Sequence, residues 1–221
     1  MVDVAYLPTL CNHCDEAPCV KAAIDGAVYK RPDGIVIIDP QKAKGQKAIA
    51  GSCPYGAIWW NEERKVPQIW IFDAHLLDHG WQEPRCAQVC PTAAIRAVKA
   101  EDSEMQQLAR KEALDVLRPE LGTKPRVYYK NLYRFTKCFI GGSVAVDRNG
   151  VVDCLQGANV TLAKGSARLA EQRTDRYGDF KFDRLEPDSG AYRIEISHPY
   201  HGKKVVEPQL GESQYVGVIY L

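Results

Sequence analysis

Three cysteines in the stretch CNHCDEAPC, at C-x2-C-x4-C spacing from Cys11 to Cys19, limit this chain more than any other feature. Thiols so placed suit a soft metal and leave one ligand to be supplied from elsewhere in the chain. An internal repeat points to that ligand. CPYGAIWW from Cys53 and CPTAAIRAV from Cys90 share the pattern Cys-Pro-x-(Gly/Ala)-Ala-Ile, and AIDGAVY from Ala23 is a third copy without Cys or Pro. The repeat unit reads as a cysteine at a turn followed by a short apolar strand.

In bacterial two-cluster ferredoxins the last cysteine of a C-x2-C-x2-C-x3-C-P run serves the other cluster, so a fourth ligand comes from a distant Cys-Pro. By that rule Cys53 completes the set Cys11, Cys14, Cys19 and Cys53, one full ligand set for a 4Fe-4S cluster. Ala23 then marks an emptied Cys-Pro position, and Ala43, Gln46 and Ile49 mark the emptied run before Cys53. All four ligands of a second cluster are missing together. Zinc also accepts four cysteines, and a zinc-stabilised structural interaction protein is the competing reading. His13, inside the motif, is expected to donate a hydrogen bond near the metal or to pack the loop rather than to ligate.

Charge and hydropathy exclude two partner classes. With 29 basic and 28 acidic side chains the net charge is +1, which gives no electrostatic grip on nucleic acid or an anionic membrane. No apolar run of eighteen residues occurs, and MVDVAYLPTL lacks the pattern of a signal peptide, so a cytoplasmic protein is expected. Ser103 and Gln106 form a capping-box pattern, and Met105, Leu108, Leu114 and Leu117 give a helical stripe ended by Pro119. Beyond KPRVYYKNLYRF the apolar period becomes two, in about seven short strands separated by turn residues, which predicts an antiparallel β-sandwich. The expected class is α+β. A ferredoxin-like iron-sulfur domain occupies 1–100, a helix and linker 101–136, and the sandwich 137–221. The loop-rich first hundred residues are expected to depend on metal rather than on a core.

The order CNHCDEAPC, DGAVYKRPDGIVIIDP, CPYGAIWWNEE, AHLLD and PRCAQVCPTAAI resembles the iron-sulfur subunits of molybdopterin oxidoreductases of the dimethyl sulfoxide reductase superfamily. PELGTKPRVYYKNLYRF followed by a sandwich narrows the resemblance to the transhydroxylases among them. TDRYGDFKFDRL resembles transthyretin-like and collagen-adhesin B-type modules. The resemblance implies a non-catalytic electron-transfer subunit, docked on a large catalytic subunit that alone holds the molybdopterin and acts on aromatic hydroxyl compounds. A redox subunit of an aromatic reductase or dehydroxylase is the variant reading. The family's first cysteine run is missing here, and Trp70 and Asp73 stand where the family has cysteines. Cys86 and Cys90 are therefore expected to be remnants, with Asp73 or His75 poor candidates as substitute ligands. Trp59 and Trp60 are read as core or interface aromatics, with Trp70 as a further candidate for exposed apolar surface, and Cys138 and Cys154 as small apolar residues.

Overall fold

The computed structural model describes residues 5–221; the first four residues of MVDVAYLPTL lie outside the described residues. Each copy of the sequence repeat becomes a turn with one backbone signature. Gly26, Gly56 and Ala93, the fourth residue of each copy, have φ of 65°, 65° and 51°. Glycine takes that left-handed conformation without strain, which explains two of the three choices. The next two residues in the first two copies, Ala27–Val28 and Ala57–Ile58, are buried.

These turns belong to the first of two compact units, Leu7–Leu132. Its elements are short. Helix α1 (Pro18–Ala22) starts on a proline, whose missing N–H costs nothing there. The first repeat then runs into an antiparallel hairpin of β1 (Val28–Lys30) and β2 (Val36–Ile38). Helix α2 (Ala48–Gly51) precedes the second repeat, which leads into the hairpin of β3 (Trp59–Asn61) and β4 (Val66–Gln68). Helices α3 (Ala74–Leu77) and α4 (Arg85–Gln88) follow. The third repeat keeps the turn but forms no strand, since no hairpin partner follows it, and Val98 is exposed.

A core exists in this unit, contrary to the reading of the sequence. Ala27, Val28, Val36, Ile38, Ala43, Ile49 and Ile58 pack with Cys14 and Cys19. Each element contributes only one or two of these residues, too few to register as a period.

Helix α5 (Asp102–Glu112) also departs from expectation. Its cap is Glu101, paired reciprocally with Glu104, and not Ser103 with Gln106. It ends before Leu114 because Ala113 turns left-handed, with φ 52°. Leu114 begins β5 (Leu114–Val116), which pairs with β6 (Tyr128–Lys130). The segment expected as a linker thus carries a strand pair inside the first unit.

The second unit comprises Tyr133–Leu221 with Ala5 and Tyr6. After α6 (Tyr133–Thr136), β7 (Cys138–Arg148) pairs with β8 (Val151–Cys154), and a second sheet follows from β9 (Asn159–Lys164) and β10 (Ala167–Arg173). β11 (Asp179–Leu185) returns to β7, β12 (Gly190–Ala191) leads into β13 (Arg193–His198) beside β9, and β14 (Gly202–Val206) forms that sheet's edge. β15 (Gln209–Leu210) pairs with β12, and β16 (Gln214–Tyr220) lies beside β7. Two four-stranded sheets result, ordered β10-β9-β13-β14 and, with β8 also on β7, β11-β7-β16.

Alternate residues of both sheets meet in one core, including Ile140, Val144, Val160, Leu162, Ile194 and Ile196. The expected antiparallel pattern fails at one pair, because β16 runs parallel to β7. These strands open and close the unit, so everything between them serves as the long connection a parallel pair needs. Gly178, at φ 76°, lies where a Cβ would overlap the Val144 carbonyl oxygen, so no other residue fits. The chain as a whole is mostly β with few helices.

Candidate metal centre

Cys11, Cys14, Cys19 and Cys53 line one cavity, closed by the apolar side chains of Val36 and Ile58 and by Tyr55. The four come from separate local devices. His13 adopts φ 45°, which turns the chain back between Cys11 and Cys14. Its backbone N–H bonds the Cys11 sulfur. Pro18 starts α1 so that Cys19 falls in its first turn, where the Val20 N–H bonds the sulfur. Cys53 enters at the turn of the second repeat.

Electrostatics make this group incomplete by itself. Burial, helped by the neighbouring thiols, pushes Cys11 up to about 12 and Cys19 up to about 11, and burial also raises Cys14. The desolvated sulfurs of Cys11, Cys14 and Cys19 resist ionisation, yet thiolates are the form that binds metal. A cationic iron-sulfur core held by them would reverse that balance, as bound metals do for coordinating thiols.

The ligand loop is held by a lysine that no motif marks. Lys30, at the end of β1, donates to the carbonyl oxygens of His13 at 2.7 Å, Cys14 at 3.1 Å and Gly34 at 2.9 Å. Its ammonium also pairs with Asp15 Oδ1 at 2.9 Å, an oxygen shared with Arg126 Nε at 2.6 Å. Although burial opposes it, hydrogen bonds from Arg126 and Lys30 hold the Asp15 carboxyl below the usual range. Lys30→Met leaves two loop carbonyls without a donor and is expected to cost the first unit about 2–4 kcal/mol. Denaturant unfolding of the iron-loaded protein measures this, and an unchanged midpoint would rule the clamp out.

The His13 ring packs and accepts rather than donates. Its Nδ1 takes the Val36 N–H at 3.0 Å, which puts its proton on the buried Nε2. Burial lowers it to about 4, so it is neutral at physiological pH. Its ring lies 5.6 Å from that of Trp70 and 5.9 Å from that of Phe72. Trp70 is therefore half-buried beside the Cys11–Cys14 loop.

The other cysteine positions are rebuilt. Asp73 spends both carboxylate oxygens on Arg85, taking its backbone N–H at 2.9 Å and its guanidinium at 2.6 Å. That leaves it unfit to replace a thiolate. Cys86 is half-buried on α4, and Cys90 is held below its ordinary range by the Ile95 N–H and the Thr92 hydroxyl. Neither lines the cavity of the four.

The positions expected to mark a second ligand set are filled. Ala43 and Ile49 are 0% exposed, with Ala23 packed against the same core. Gln46 accepts the Ile24 N–H at 2.9 Å and donates to the carbonyl oxygens of Ile24 and Lys42. Methyl groups and an amide staple offer nothing to a second cluster. In the second unit Cys138 is buried, as read from the sequence, whereas Cys154 is exposed. No described helix is long and apolar enough to cross a membrane.

Comparison with known proteins agrees with this chemistry. The sequence model of the 4Fe-4S dicluster domain matches residues 2–100. The pyrogallol hydroxytransferase small subunit of Pelobacter acidigallici is 48% identical over 197 residues, covering 88% of this chain and 69% of that one. The Hdr-like menaquinol oxidoreductase iron-sulfur subunit 1 of Archaeoglobus fulgidus is 31% identical over 58% of this chain, and the beta subunit of perchlorate reductase of Dechloromonas aromatica 37% identical over 56%. The chain spans 57% and 38% of those two, less than two thirds of either. The match to most of the chain and to two thirds of the hydroxytransferase subunit settles the family: this chain belongs with the pyrogallol hydroxytransferase small subunit, among the iron-sulfur subunits that carry a 4Fe-4S dicluster domain.

Proposed function

We propose that the chain is the cluster-bearing accessory subunit of a molybdenum enzyme acting on aromatic hydroxyl compounds. Cys11, Cys14, Cys19 and Cys53 hold one 4Fe-4S cluster, and a large partner subunit carries the molybdopterin and performs the reaction. One observation carries the reading: four cysteines from segments 34 residues apart line a single apolar cavity, while the positions that would serve a second cluster are filled by Ala23, Ala43, Gln46 and Ile49.

The repeat and the dicluster-domain match support a cluster over zinc, because zinc also accepts four cysteines but gives no reason for the repeated Cys-Pro-x-(Gly/Ala)-Ala-Ile turn. When bound, the cluster supplies one-electron storage. The chain's own residues hold it, shut water out with Val36 and Ile58, and aim backbone N–H groups at the Cys11 and Cys19 sulfurs. Moving a hydroxyl between phenols involves no net redox change, so a single cluster with no onward chain is compatible with it.

The two sheets of the second unit, facing across one core, fit the β-sandwich of a transthyretin-like or collagen-adhesin B-type module that braces a partner. Trp59, 51% exposed on β3, and Tyr29 on β1 offer apolar surface for that partner. Iron and acid-labile sulfide in the anaerobically purified complex test the reading. About four of each per chain are expected. A colourless zinc protein would refute it, and about eight or twelve irons would show further ligand sets in use.

A further inference from the structure

We propose that Lys30 is a fixed positive charge behind the ligand loop that raises the reduction potential of the cluster, with Asp15 and Arg126 holding it in place. The proposal rests on the four-cysteine ligand set above. The Lys30 side chain is 24% exposed, and its nitrogen meets four oxygens within 3.1 Å: the carbonyls of His13, Cys14 and Gly34 and the carboxylate of Asp15. Carbonyl and carboxylate oxygens only accept. A neutral amine would turn its lone pair on one of them, so this arrangement requires the ammonium form, which has three protons to donate and no lone pair.

Proximity to the cluster follows from covalent geometry. The ammonium is 3.1 Å from the Cys14 carbonyl oxygen, and bond lengths keep that oxygen within roughly 5 Å of the sulfur of the same residue. The charge therefore stands no more than about 8 Å from a ligand sulfur, inside a Debye length. Cys14 is itself buried, which weakens screening further.

The neighbours of Lys30 do not cancel its charge. Asp15 Oδ1 is shared between Lys30 at 2.9 Å and Arg126 Nε at 2.6 Å, so two cations face one carboxylate and one net positive charge remains. Arg126 is anchored to the same loop. Its N–H donates to the Asn12 carbonyl oxygen at 2.8 Å, and its guanidinium lies so close to Gly34 that a Cβ there would come within 3.0 Å of it. Asp102, a further carboxylate on Arg126 at 3.4 Å, is 74% exposed and screened by water.

The effect on potential follows from that charge. Reduction adds an electron whose density is shared with the ligand sulfurs, and a cation nearby stabilises the reduced state more than the oxidised one. This action is separate from the hydrogen bonds by which Lys30 clamps the loop, and substitutions can divide the two.

Lys30→Gln keeps N–H donors and removes the charge; Asp15→Asn removes the opposite charge at the same place. An EPR-monitored redox titration of the whole complex, with iron per chain measured in each variant, is expected to give a lower midpoint potential in Lys30→Gln, a higher one in Asp15→Asn and a near-native one in Lys30→Arg. A merely loosened loop would not move the two neutral variants in opposite directions. A native potential in Lys30→Gln at native iron content would overturn the proposal, as would shifts of one sign in both. Should Lys30→Gln lose its iron, Asp15→Asn and Arg126→Gln decide, the first expected to rise and the second to fall, and an unshifted potential in either overturns the proposal equally. Failure of the ligand set shows differently, as a cluster retained in Cys53→Ala.

Discussion

Cys53→Ala is expected to strip the protein of its cluster as completely as Cys14→Ala, although 39 residues separate the two positions. The reason is geometric. Both sulfurs face one cavity, and Cys11, Cys14 and Cys19 each feel the charge of Cys53 across it. Removing any of the four leaves a three-thiolate site with no substitute nearby, since Asp73 is committed to Arg85 and His13 Nδ1 to the Val36 N–H. Cys86→Ala and Cys90→Ala should by contrast keep the full visible and EPR signal. Native iron content in Cys53→Ala would sink the pairing, and iron lost from the Cys86 or Cys90 variant would mean that a second site survives.

The cysteine spacing and the repeat single out four residues that the fold brings to one cavity, because residue type and interval are visible in the sequence. The strands of the second unit are legible for a related reason: a half-buried strand must alternate, and β9, β11 and β13 do. Features that depend on tertiary contact alone escape such a reading. Lys30 sits in a three-residue strand whose sequence says nothing of the carbonyls it meets. Arg126 falls in a segment that reads as linker, and only backbone pairing with residues 12–16 reveals its place. The apolar stripe overextends helix α5, since Leu114 and Leu117 continue it; the left-handed turn at Ala113, a residue of high helix propensity, is imposed by the pairing of β5 with β6. The parallel β16 is equally hidden, as strand direction leaves no trace in a period of two.

Oxidative removal of the cluster is expected to melt the first unit and leave the second folded. The first unit's core contains two of the four cavity cysteines, Cys14 and Cys19, and otherwise only a short set of residues from Ala17 to Ile58. Structural metal sites supply on the order of 10 kcal/mol to folding, comparable to the whole stability of an ordinary domain. Losing that contribution, and leaving buried thiols around an empty, apolar space, should take the unit past its unfolding point. The second unit has no such dependence. Its core is a continuous layer of Ile140, Val160, Leu162, Ile194 and Ile196 between two hydrogen-bonded sheets, enough for the usual 5–10 kcal/mol or so without any metal. Calorimetry of the intact chain before and after exposure to oxygen and chelator should therefore lose one transition and keep the other, and a fragment beginning at Tyr133 should reproduce the surviving one. Simultaneous loss of both transitions would show that the two units unfold as one, and that the cluster stabilises the whole chain rather than the part that binds it.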